Sequence, residues 1–166
     1  MEKSFKFKNI ESNLTKLFML IYENQNINKY IYYLNNDPIS SPTVPVDLYE
    51  NGNFILGFYD GSIPTEEKIR FFINVSSGNL AKYPMDKIIY PVQVVIPSRW
   101  EILHNRGEIR AIRIFDEISQ MIDQQKVAGM TEAEVINYRA GRMSGTEYSI
   151  FSVEIVIKGS TMKGLR

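Results

Sequence analysis

A chain of 166 residues with 44% hydrophobic and 23% charged side chains can bury one core without staples, and its length suggests a single domain. Lys and Arg total 19, matched by 19 Asp and Glu, so the formal charge is zero; a general nucleic-acid binder would need a basic field to displace counterions. With no cysteine, disulfides, thiolate zinc sites, iron–sulfur clusters and cysteine nucleophiles are excluded together, as suits an intracellular protein.

Residues 1–12 read as an N-terminal arm. Met1 to Asn9 alternates lysine with phenylalanine and lacks the apolar run of a signal peptide. The arm is either loose in the isolated protein or docked on a neighbouring subunit, with Lys3, Phe5 and Phe7 as its contact residues. Ser12 or Asn13 can cap a first helix, in which Leu14, Leu17, Phe18 and Ile21 keep the spacing of one buried face. Asn24 to Asn26 interrupts it. Ile27, Tyr30, Ile31 and Leu34 then mark a second short helix that Asn35-Asn36-Asp37-Pro38 ends. A helical pair is expected over about 13–35.

Residues 38–53 are rich in proline and serine and predict an extended loop closed by the Glu50-Asn51-Gly52-Asn53 turn. Strands follow at 54–59 and 69–75, the second with Ile69, Phe71, Ile73 and Val75 alternating. Lys87 to Ile96 predicts another strand. Pro91 inside it suggests an edge or a bulge, because proline cannot donate to a ladder. A long helix is expected over about 107–125 on the spacing of Ala111, Ile114, Phe115, Ile118 and Ile122, with Gly107 at its start and Gly129 beyond its end. Strands at 134–140 and 149–158 flank the link Gly141–Thr146, short enough for an antiparallel hairpin. Residues 13–158 thus form one domain, and 159–166 a loose basic tail. Strands broken by a single helix predict an α+β fold: a mostly antiparallel sheet packed against one long helix, with an N-terminal helical pair.

Catalytic signals are scarce. His104 is the only histidine and has no partner set for zinc; a surface or capping role outweighs a general-base role. Glu66-Glu67, Asp116-Glu117 and Glu132/Glu134 read as solvated carboxylates. No nucleophile elbow, Walker loop or dinucleotide fingerprint is present. The expectation is a protein that is not an enzyme and uses no metal or cofactor. No apolar run approaches the ~20 residues needed to span a bilayer, so no membrane partner is expected.

Arginines carry the remaining signal. Arg106, Arg110 and Arg113 gather at the start of the long helix, where cations oppose the helix dipole. They either pair with Glu101, Glu108, Asp116 or Glu117, or form an exposed patch for an acidic partner or for passing DNA. Arg139 and Arg142, with Lys158, Lys163 and Arg166, make a second basic cluster, which symmetry would multiply around a lumen.

Two segments carry a resemblance. Leu14 to Pro38 (LTKLFMLIYENQNINKYIYYLNNDP) resembles the opening helices of small neck and tail-completion proteins of tailed bacteriophages. The order of paired strands, helix 108–125 and hairpin 134–158, ending in YSIFSVEIVI, is similar to the bacteriophage tail-terminator fold. That resemblance implies a structural virion protein forming a ring, hexameric in such families, that ends the tail tube or joins it to the head neck. The implied partners are its own copies, tail-tube and neck or connector proteins, and DNA passing non-specifically through a lumen. The implied location is the virion, after assembly in the host cytoplasm. A non-catalytic phage binding module, monomeric or dimeric, is the competing expectation.

Overall fold

The computed structural model describes residues 2–75, 77–78, 87–103, 107–124 and 132–158. Three helices run Glu2–Glu23 (α1), Gln25–Tyr32 (α2) and Arg110–Gln124 (α3). The strands are β1 (Phe54–Leu56), β2 (Arg70–Ile73), β3 (Ser77–Gly78), β4 (Lys87–Pro97), β5 (Ile102–Leu103), β6 (Glu108–Ile109), β7 (Glu132–Arg142) and β8 (Tyr148–Lys158). The main sheet has the order β1-β2-β4-β8-β7, and β3 also pairs with β4. Only β1 and β2 run parallel; the other pairs are antiparallel. The fold is therefore α+β, with a mostly antiparallel sheet.

One face of the sheet makes the core. Phe71 and Ile73 of β2, alternate residues Ile88 to Ile96 of β4, and Phe151 to Ile157 of β8 join Leu17, Phe18 and Ile21 of α1, Ile27 and Ile31 of α2, and Ile114 and Ile118 of α3. The period of two in the strands and 3.6 in the helices puts these side chains on facing surfaces. Three helices share this work. The longest is α1 with 22 residues, whereas α3 has 15, so the single long helix expected at 107–125 is not the main cover.

The first helix begins earlier than expected. Its backbone is helical from Glu2, so Ser12 and Asn13 lie inside it and cap nothing. Ile10 already packs on the core, one turn before Leu14. Asn13 is buried, and the Tyr90 hydroxyl donates to the Ile10 carbonyl at 3.2 Å. The Asn24 side chain caps α2 by accepting from the amides of Asn26 (3.0 Å) and Ile27 (3.1 Å).

Pro91 is not on an edge. It lies in β4, between β2 and β8, opposite Glu154. Its carbonyl accepts from Asn74 at 3.2 Å, on the β2 side. A strand residue directs its N–H and C=O the same way, so the missing donor also faces that side. There β2 reaches only Val92 and β3 begins at Ile89, which leaves a gap in the ladder. The proline removes no bond to β8.

The opposite face of the sheet is strapped by the loop after β1. The Tyr59 amide donates to Gln93 Oε1 at 3.3 Å, and the Tyr59 hydroxyl reaches Met143 Sδ at 3.1 Å. Arg70 lies 5.5 Å from the centres of the Tyr59 and Phe72 rings and donates to Ser62.

Candidate interaction surface

The expected contact residues fall into four environments. Lys3, Phe5 and Phe7 sit on the first turns of α1, and Pro91 is central. Arg106, like His104, Gly129 and the tail 159–166, lies outside the described residues. Arg110 and Arg113, three residues apart on α3, separate sharply.

Arg110 is 0% exposed, which overturns the reading of it as an exposed contact. Its Nε donates to the Trp100 carbonyl at 2.8 Å, and its Nη1 to the carbonyls of Tyr30 and Tyr33 at 2.9 and 3.0 Å. Nη2 donates to the Asn35 carbonyl. These acceptors include groups at the C-terminal end of α2, where carbonyls lack helical partners and the dipole attracts a cation. The guanidinium thus serves the end of α2 rather than the start of its own helix. Burial lowers its pKa to about 10, so it remains charged at neutral pH. Arg113, half-exposed, is held by Glu108, with Nε to Oε2 at 2.8 Å, and stands 3.7 Å from Asp116. Of the two readings for this cluster, ion pairing describes Arg113.

Arg139 and Arg142 are exposed on β7, the last strand of the sheet order. Among the described residues neither makes an ion pair. Their partners across the ladder are Ser152 and Ser149, whose side chains lie on opposite faces of β8, so the two arginines bracket the strand from both sides.

Between Ile136 and Arg139 the ladder carries a bulge. Asn137 there has φ 56°, a left-handed conformation that asparagine tolerates better than most residues, and its amide donates to Glu154 at 2.7 Å. Beside the bulge an open groove of about 360 Å³ runs between α3 and β7, with Ile112, Phe115, Val135, Tyr138 and Val153 among its walls. Tyr138 is 47% exposed and meets Phe115 edge-on, with ring centres 6.2 Å apart. Burial, then the Glu101 carboxylate, raises its phenol pKa, so the hydroxyl stays protonated and able to donate.

The groove was not apparent from periodicity. Phe115 and Val153 read as ordinary core, and the Ile136-Asn137-Tyr138 stretch read as uninterrupted strand. An asparagine inside a β-rich run was the available sign of a left-handed residue.

Residues 24–154 match the YomW family. This chain belongs to the YomW family. That family name is phage-derived, of the SPBeta kind, and makes this a phage-associated protein. The matched span covers α2 through most of β8 and so includes the groove and both edges of the sheet. No curated protein matches the chain.

Proposed function

We propose that this YomW-family chain is a structural, non-catalytic virion protein of a tailed bacteriophage. It forms a ring of its own copies, six in number, that ends the tail tube or joins it to the neck and connector proteins. The observation that carries this reading is the β7 edge: among the described residues, it is the last strand of the sheet, beside an apolar groove, and its Arg139 and Arg142 make no ion pair. Strand edges and apolar grooves are standard sites of chain-to-chain contact. A ring repeats each subunit's charge by symmetry, so a neutral chain could still present a basic ring to passing DNA. The reading places the protein in the virion, after assembly in the host cytoplasm.

Light scattering on the eluted protein, with negative-stain micrographs of the same fractions, tests this. Hexameric rings, or rings seated on tail tubes, are expected. A strict monomer that joins no particle overturns the ring. A monomer or dimer that captures a soluble cellular partner would support a phage binding module instead.

A further inference from the structure

The charges of β7 are mixed, and the mixture is ordered. Glu132 and Glu134 stand in its first half, Arg139 and Arg142 in its second. Among the described residues, β7 pairs with β8 alone, so its outer edge meets no strand. Glu134 and Arg139 are exposed there. A bulge on an edge strand ordinarily guards against further pairing. This one has a second effect. Glu134 and Arg139 are separated by an odd number of positions, so in a regular strand they would point to opposite faces. Across the ladder they oppose Val156 and Ser152, which share one face of β8. The extra residue at the bulge thus sets both charges on the face away from the helices. On the helix-bearing face the same reset aligns Val135, opposite Ile155, with Tyr138, whose ring meets Phe115 of α3.

We propose that β7 pairs with β7 of a second copy, antiparallel, about a two-fold axis at the bulge. The register that sets Glu134 opposite the partner's Arg139 also sets Arg139 opposite the partner's Glu134. It sets Val135 and Tyr138 against each other in the same way on the helix-bearing face, where both line the groove. All these pairs are centred between Ile136 and Asn137, at the bulge itself. One register therefore gives charge pairs on one face of the joined sheet and apolar pairs on the other, the contacts that stabilise neighbouring strands. An order of acid then base is complementary to itself when reversed, and this selects a second copy as the occupant. Parallel pairing would set like against like. The contact is two-fold and closes on itself. A ring of six can hold it three times beside another contact, but the pairing goes beyond the ring reading and does not depend on it.

A charge swap tests the pairing, read by light scattering over a range of protein concentrations. Arg139→Glu alone sets carboxylates against carboxylates, and Glu134→Arg alone sets guanidinium groups against each other. Each should weaken self-association about tenfold or more. Both positions are exposed, so urea midpoints near wild type are expected. Mixed in equal amounts, the two variants should form a one-to-one heterodimer, because every opposed pair is then complementary. Both substitutions in one chain should restore wild-type association. If either single variant associates like wild type, if the mixture does not pair, or if the combined variant is not restored, this contact is overturned and the ring is untouched. A wild type that stops at the dimer and obeys the swap upholds the contact and overturns the ring. A strictly monomeric wild type overturns both.

Discussion

The Arg110 guanidinium donates to the Tyr30 carbonyl at 2.9 Å, across 80 residues of chain, and fastens the end of α2 to the start of α3. Replacing Arg110 with alanine leaves the carbonyls of Tyr30, Tyr33, Asn35 and Trp100 without that donor. An unmet buried group costs about 1–3 kcal/mol. A total loss of about 3 kcal/mol or more is expected in urea unfolding. Arg110→Lys should recover little, since an ammonium cannot span acceptors set for a planar fork. A stability within 1 kcal/mol of wild type would contradict this role. Charge reversal at Arg110 consequently reports on folding, and assembly is better probed at Arg139 and Arg142.

Tyr90 predicts an alkaline response. Burial raises its phenol from the ordinary 10.0 to about 12. A raised pKa in the folded state gives stability that is fully present below the unfolded value of 10 and is lost as pH rises through 12. Arg110 shifts the opposite way over the same range, so total stability alone is uninformative. The comparison with Tyr90→Phe cancels that contribution. Wild type's margin over the variant should fall by about 2–3 kcal/mol between pH 10 and 12. A constant margin would show that the phenol does not titrate late.

Asn137 should be selective. Its φ of 56° suits asparagine or glycine. Asn137→Gly should leave stability within about 1 kcal/mol, while Asn137→Val should cost about 1–2 kcal/mol, because a β-branched side chain clashes there. Thermal melts of the two variants give the comparison. Equal losses would mean that the hydrogen bond to Glu154, and not the backbone conformation, sets the position.

Arg70 should control the strap over the second face. Arg70→Ala removes its contacts with Tyr59, Phe72 and Ser62. Amide exchange across residues 57–64 should rise about tenfold or more, as expected if about 1.4 kcal/mol of local closure is lost, while α2 and α3 change little. Uniform acceleration across the domain would instead place Arg70 in the global fold.

Much of this architecture was readable in the order of residues. Leu14 to Ile21, Ala111 to Ile122 and Phe151 to Ile157 each keep one clean period, and each forms the element that period requires. The failures have local causes. The Lys–Phe alternation at Lys3 to Lys8 has a period of two and concealed a helix. Pro91 looked like an edge signal, but a gap between two short partners accommodates it inside the sheet. Arg110 gave no sign of burial, because its acceptors are backbone carbonyls, which every sequence possesses. Of the expected contact residues, Arg139 and Arg142 stand exposed on the open β7 edge. The groove beside them depends on how α3 lies along β7, which no local pattern encodes.

The bond between Tyr90 and Ile10 sets a lower limit on the part of this chain that can live alone. The YomW match starts at residue 24, one position after α1 ends. Yet Leu17, Phe18 and Ile21 are buried against the sheet, and α1 supplies the acceptor for a phenol on its central strand. A fragment cut at the margin of the match would bare Phe54, Phe71 and Tyr90 to water and lose its roof. The span that matches the family is thus shorter than the unit of folding.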